Sequence, residues 1–260
     1  MCIVAIAWQV VEDMPLCLIS NRDEFYARPS TALNYWTDSP IIAGQDLVSG
    51  GTWLGMTKTG RWAVITNYRD GQAMQSLTTS RGKIITDFLN SDLAPIRFAR
   101  QLEAKQQHYA GFNVIFGTRE QAVYMSNLGD APQVLAYGVY VLSNTTMGQF
   151  WHKNQKFRMR FTQELLPLLG QPHVSDMQLE QVVWDILQDA RQLSPDQLPN
   201  TGIAKELEQL LSSTFIQSAE YGTRCSNFLR LYRERADWIE KQHANRSSRT
   251  RLQIQLNAAI

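Results

Sequence analysis

Two apolar runs separated by a short polar turn open the chain, Ile3 to Trp8 and Pro15 to Ile19, and they link Cys2 to the cluster Asn21-Arg22-Asp23-Glu24. Both runs are short and rich in β-branched side chains, which predicts strands over residues 2–9 and 15–22 joined as a hairpin. Apolar residues on both faces suit strands that are covered on each side, so the hairpin belongs inside a layered fold. Paired in register, it brings the Cys2 thiol close to Arg22. If Met1 is removed, Cys2 carries a free α-amine beside its thiol, and one residue supplies both nucleophile and base. An α-amine titrates near about 8. A thiol, ordinarily near about 8.5, falls when an arginine is close, so Arg22 would poise a thiolate. The competing reading makes Cys2 a small packed strand residue and the charged cluster a polar strand end.

Further along, Gly50-Gly51-Thr52-Trp53-Leu54-Gly55 allows a tight turn that feeds a strand. A second hairpin, residues 52–56 and 62–66, ends in Asn67-Tyr68-Arg69-Asp70-Gly71. Ser80 is placed to cap a helix carrying Ile84, Ile85, Phe88 and Leu89 on one face, and a second helix spans 95–107. Strands follow at 112–116, 122–126 and 134–142, the last broken by Gly138 and running into Ser143-Asn144-Thr145. Amphipathic helices are expected at 152–168, 176–191 and 203–211, then strands at 227–232, 238–242 and 251–256 after Tyr221-Gly222-Thr223-Arg224. Strands, helices, strands, helices, strands, with neighbours close enough for antiparallel pairing, favour α+β. The expected architecture is a four-layer αββα sandwich of two mostly antiparallel sheets in a single domain, 1–260.

Charge excludes some partners. With 25 basic against 24 acidic residues the chain shows no electrostatic footprint for nucleic acid. No positively charged region precedes the N-terminal apolar stretch, and no apolar segment is long enough for a membrane span, so a cytoplasmic protein without stable membrane insertion is expected. Cys2, Cys17 and Cys225 form neither a CxxC pair nor a Cys/His ligand pattern, which argues against a metal site and leaves Cys17 and Cys225 as packed core thiols. His108, His152, His173 and His243 are expected on solvated surfaces, and Trp53 and Trp62 in the core.

Cys2, the Asn21-to-Glu24 cluster, Gly50 to Gly55, Thr66-Asn67-Tyr68-Arg69, Ser80-Arg81-Gly82, Leu142-Ser143-Asn144 and Tyr221-Gly222-Thr223-Arg224 occur in an order that resembles the NRDE family, also called the Transport and Golgi organization family. More distantly, the layout is similar to cysteine N-terminal-nucleophile hydrolases of the bile-salt hydrolase and penicillin V acylase kind. That similarity implies Cys2 as nucleophile, Arg22 beside it, Asn67 and Asn144 as the two asparagines, and Arg224 as a looser match for a late arginine. Asparagine N–H groups can donate to a developing oxyanion, and arginines can hold a carboxylate. One departure is visible: those hydrolases place Asp three residues after Arg, whereas Asp23 directly follows Arg22. On a strand these two side chains point to opposite faces.

Two functions follow from the resemblance. The family is associated with intracellular haem trafficking, which implies a haem carrier that uses the cleft as a pocket, with Cys2 or Tyr68 on iron, Asn21, Arg22, Arg69 or Arg224 around the propionates, and haem donor or acceptor proteins as partners. Residue chemistry implies instead a cysteine amidohydrolase acting on a small carbon–nitrogen amide, with Asp23 as a candidate for orienting the amine and no catalytic metal. Family association puts the carrier first.

Overall fold

The computed structural model describes residues 2–71, 79–129, 131–243 and 248–257. Met1, on whose removal the amine depends, lies outside them. The opening hairpin is formed by β1 (Cys2–Val11) and β2 (Met14–Phe25), joined through Asp13 in the left-handed region. β2 is longer than expected. Asn21 to Glu24 are laddered to a strand on each side or one side, so the charged cluster is built into the sheet and does not project from its end.

The six-stranded sheet runs β10-β1-β2-β11-β12-β13, with β10 at Gly138–Leu142, β11 at Tyr221–Leu231, β12 at Arg235–Gln242 and β13 at Ser248–Gln255. The seven-stranded sheet runs in sequence order through β3 (Asn34–Tyr35), β4 (Ile41–Ala43), β5 (Leu54–Thr57), β6 (Trp62–Asn67), β7 (Phe112–Gly117), β8 (Ala122–Ser126) and β9 (Gln133–Val134). All pairings are antiparallel among the described residues. The stretch 134–142, expected as one strand, is two. β9 finishes the seven-stranded sheet and β10 starts the edge of the other, so the chain changes sheet just before Gly138.

Alternation along β1 and β2 separates two cores. Val4, Ile6, Trp8, Leu16 and Leu18 face the other sheet, whereas Ile3, Ala5, Ala7, Cys17 and Ile19 face helices. Helices α1 (Gly82–Leu89) and α2 (Pro95–Glu103) cover the seven-stranded sheet, where Phe88, Phe98 and Phe116 meet with ring centroids 4.9–5.2 Å apart. Helices α3 (His152–Arg160) and α4 (Asp176–Leu187) cover the six-stranded sheet, and the short α5 is Lys205–Leu210. The layers are therefore α, β, β, α, as the sequence leads one to expect.

Local differences have local causes. Ser80 does not cap α1; its N-cap is Arg81, and Ser80 instead accepts the Lys83 N–H through its carbonyl. The helical stretch 152–168 changes pitch, passing from α3 into a π turn at Phe161–Leu165 and a 3₁₀ turn at Leu166–Leu168, where Pro167 cannot donate. α4 starts from a Ser175/Gln178 capping box and ends at Leu187, short of the expected boundary. Gly117 is required by packing, since a Cβ there would lie 2.1 Å from the Trp62 ring. Trp62 in turn tilts against Trp8 across the inter-sheet space, centroids 5.9 Å apart.

Candidate active site

β1 and β2 pair with Cys2 opposite Arg22, so the thiol and the guanidinium share the face turned toward the other sheet. Arg22 lies over Trp53 at 4.2 Å from the ring centroid and reaches Asp46 through Nη2 at 3.4 Å. Its Nη1 is buried and has no hydrogen-bond partner among the described residues. Asp46 is engaged elsewhere, accepting from Arg28 Nε at 2.7 Å and from the backbone of Val48 and Ser49. Burial acts to raise its pKa, but these bonds win and hold it below the usual carboxylate range.

These groups line a cleft of about 470 Å³ between the sheets, shared by Cys2, Arg22, Asp23, Trp53, Asn67 and Arg81. Burial raises the Cys2 thiol above its ordinary value and Asp23 adds to the rise, while the N-terminal charge and, more weakly, Arg22 oppose it without winning. The lowering expected from Arg22 is thus outweighed by desolvation of the thiol. Nucleophilic attack from this cysteine needs a base.

Asp23, as strand alternation requires, points away from the Arg22 face. It is 1% exposed, and Thr223 Oγ1 donates to its Oδ1 at 2.7 Å while the Tyr221 hydroxyl donates to its carbonyl at 3.2 Å. Burial raises its pKa and Lys153 draws it back. Burial also brings the Lys153 amine down to about 8. Lys153 sits in the first turn of α3 and donates from Nζ to the Leu211 carbonyl at 2.9 Å.

Asn67 ends β6 and reaches the cleft from the opposite sheet. Asn144 stands behind it: its Nδ2 donates to the Asn67 carbonyl at 2.8 Å, and its own carbonyl accepts from the Arg69 N–H at 2.8 Å. Asn144 therefore fixes the strand end that presents Asn67 and is not among the cleft's lining residues. Arg224 is the extra residue of a bulge between Thr223 and Cys225, and its Nη1 donates to the carbonyls of Phe25, Tyr26 and Arg28 at 2.7–2.9 Å. It ties down the segment after β2 and lies outside the cleft lining.

A family model for Transport and Golgi organisation 2 matches residues 1–245. The chain belongs to the Transport and Golgi organisation 2 family. A Transport and Golgi organization protein 2 homolog from Bos taurus is 30% identical over 227 residues, 82% of this chain and 81% of that protein. The homolog from Homo sapiens is 35% identical over 148 residues, 53% of each. Among solved structures, a C2A mutant of conjugated bile acid hydrolase from Clostridium perfringens superposes with a TM-score of 0.52 at 6% identity, covering 99% of this chain and 97% of that one. The fold of this family member is N-terminal-nucleophile-hydrolase-like.

Other expectations resolve residue by residue. Asn21, expected at the ligand, is fully buried on the helix side of β2, donating to the carbonyls of Leu187 and Thr214 and accepting from Ser226; strand parity turns it away from the cleft. Tyr68 and Arg69 line a neighbouring cavity of about 640 Å³ with Trp151, and Arg69 pairs with the buried Glu208 at 2.6 Å. Cys17 and Cys225 are core thiols, and Trp53 and Trp62 are core rings, Trp53 also flooring Arg22. His243 departs from the solvated reading: it contacts Ser226 at 2.8 Å, and burial lowers its pKa to about 4. Among the described residues no group of three His, Cys, Asp or Glu is placed to hold a metal, and no helix is long and apolar enough to cross a membrane. The residue that sequence reasoning missed is Lys153. Nothing in His152-Lys153-Asn154-Gln155-Lys156 distinguishes the buried lysine from the exposed side of a helix.

Proposed function

We propose that the protein is a cysteine N-terminal-nucleophile hydrolase that cleaves a small carbon–nitrogen amide once Met1 has been removed. The observation that carries this reading is the register of β1 and β2, which sets Cys2 beside Arg22 in a cleft that Asn67 enters from the other sheet. The α-amine of processed Cys2 takes the thiol proton as sulfur attacks the amide carbon, forming the carbon–sulfur bond. The carbonyl oxygen becomes an oxyanion, for which Asn67 supplies a side-chain donor. Collapse breaks the carbon–nitrogen bond, the α-ammonium returns its proton to the leaving amine, and water, deprotonated by the freed α-amine, hydrolyses the thioester. The unpartnered Arg22 Nη1 is a donor for the substrate, since a buried N–H left unsatisfied costs about 1–3 kcal/mol.

Haem carriage is the second reading, favoured by that same Arg22 donor, which a propionate would satisfy, with Arg28 and Arg81 nearby in the lining. Cys2 is the available sulfur ligand. The lining offers Trp53, Ile65 and Phe25 as apolar walls, and charged and hydroxyl groups make up most of the rest, which is poor cover for a porphyrin face. The hydrolase reading therefore stands first.

The test is turnover of an acetyl-to-octanoyl series of p-nitroanilides by Met1-processed protein, by Cys2→Ala, and by a form with Met1 retained, beside a haemin titration followed at the Soret band. Turnover confined to the processed parent is the expected result. Saturable haemin binding lost in Cys2→Ala and Arg22→Ala but kept in Asn21→Ala, with no turnover, would replace it by the carrier.

A further inference from the structure

We propose that the open edge of β10 is a docking site for an extended, acidic segment of another protein, which adds to the six-stranded sheet as a further strand beside α3.

Among the described residues the two sheets end in four edge strands, and three of these are guarded. β3 and β9 are two residues long, too short to template a partner. β13 carries Arg249 and Arg251, which are held by Glu180 and Asp176 of α4. β10 has no such device. Its sequence, Gly-Val-Tyr-Val-Leu, holds no charge and no proline, and its register with β1 runs from Val4 opposite Leu142 to Trp8 opposite Gly138 without a bulge. One side of the strand is paired with β1, so the backbone N–H and C=O groups of the other side point outward.

A groove of about 470 Å³ follows that side. Every residue from Tyr137 to Val141 lines it, so both parities of the strand contribute, and no residue of β1 does; a space bounded in this way runs along the sheet edge and not over one face. α3 forms the other wall through Asn154 and Arg158, which lie one turn apart on the same side of the helix. Asn154 is 8% exposed, and its Oδ1 is buried with no hydrogen-bond partner among the described residues. A buried acceptor is stabilised when a donor reaches it, and the main chain of an added strand brings N–H donors. Arg158 is exposed and makes no ion pair among the described residues, whereas Lys156 and Arg160 are engaged by Asp189 and Glu164.

Charge decides between occupants. Residues 131–163, which supply β10, the loop after it and α3, contain no aspartate or glutamate, so the complementary segment is acidic. The same fact disfavours a second copy of this chain. Pairing β10 with β10 of another molecule would bring two α3 helices together about a two-fold axis, and neither has an acidic residue to offer the other. Strand alternation sets the pattern of the segment: Tyr140 faces the inter-sheet core and Val139 and Val141 the helix side, where Asn154 and Arg158 stand. Apolar residues belong on one parity and a carboxylate on the other.

The test uses fluorescein-labelled peptides of alternating valine and threonine, with glutamate at each threonine position in turn, titrated by anisotropy into the full-length protein. The same panel with lysine, and with alternate amides N-methylated, is run beside it on the parent, Asn154→Leu and Arg158→Glu, each with parent-like urea unfolding. Amide hydrogen exchange over residues 138–142 and sedimentation velocity are recorded on the same samples. The expected result is saturable binding of a glutamate peptide to monomeric parent, weakened about tenfold or more by the lysine replacement and by Asn154→Leu, and lost when one alternate set of amides is methylated. Exchange should slow within 138–142. Arg158→Glu should transfer the preference to the lysine peptide, an inversion that a merely damaged fold does not produce. Absence of saturable binding by every glutamate peptide, a preference unmoved by Arg158→Glu, or unaltered exchange over 138–142 overturns the proposal. A dimer that protects the same amides without peptide would place a second copy in the groove and overturn the acidic segment as its occupant.

Discussion

The strands β1, β2, β6 and β11 are dry and buried at one end and polar at the other, where Cys2 and Asn67 are half-buried. At the dry end Trp8, Leu16, Trp62 and Leu231 are each at most 1% exposed and fill the space between the sheets. At the other end the same strands carry Cys2, Arg22, Asp23, Asn67 and Thr223, with the charged groups of Arg22 and Asp23 buried. A ladder of backbone hydrogen bonds is indifferent to which side chains it carries, so one hairpin can supply the stability at one end and hold reactive groups in register at the other. The dry end should govern unfolding and the polar end turnover, and substitutions can separate the two.

The largest effect is expected at the dry end. Trp62→Ala removes a fully buried ring that packs on Trp8 and donates to the Thr118 carbonyl, and should cost about 3–5 kcal/mol in chemical denaturation. An equal loss from Asn67→Ala would erase the contrast between the ends. Asn67→Ala should instead lower kcat by about 10²–10³-fold while leaving stability within about 1 kcal/mol, measured by anilide turnover and by urea unfolding. Arg22→Met removes a buried guanidinium whose Nη1 lacks a partner among the described residues, while Asp46 keeps Arg28. Its stability should be unchanged or higher by up to about 2 kcal/mol while turnover is lost, since replacing a poorly satisfied buried charge by an apolar chain is often neutral or stabilising.

The smallest effect is a pH dependence at His243. Burial lowers its folded pKa to about 4 from an ordinary 6.5, so below pH 6.5 the unfolded chain binds a proton that the folded one refuses. Its contribution is present above pH 6.5 and declines as pH falls toward 4, and His243→Gln should flatten that part of the stability curve in urea titrations from pH 7 to pH 4.

The dry end was legible in the sequence, because the uninterrupted apolar runs Ile3–Trp8 and Pro15–Ile19 report strands covered on both faces, and the motif order reported the layers. Part of the site was legible too: Cys2, Arg22 and Asn67 stand at ends or pairs of strands that pattern could locate. What stayed hidden depended on tertiary detail. The bulge at Arg224 turns its guanidinium to loop carbonyls, and no residue pattern marks a bulge. Asn21, by contrast, carries the wrong parity for the cleft: it alternates with Arg22 inside the strand expected over 15–22, so the ligand role expected for it conflicts with that strand's own parity. Lys153 is a surface-type residue by composition, made internal by where α3 docks.

The central claim is that a processed Cys2 in this cleft forms a covalent acyl intermediate. Intact-mass spectrometry of protein quenched in acid during turnover of the preferred anilide measures it most directly. The account predicts an added acyl mass that maps by peptide fragmentation to Cys2, present in processed parent, and absent from Cys2→Ala and from the form that retains Met1. Acylation of Cys17 or Cys225, or equal acylation of the Met1-retaining form, would contradict it.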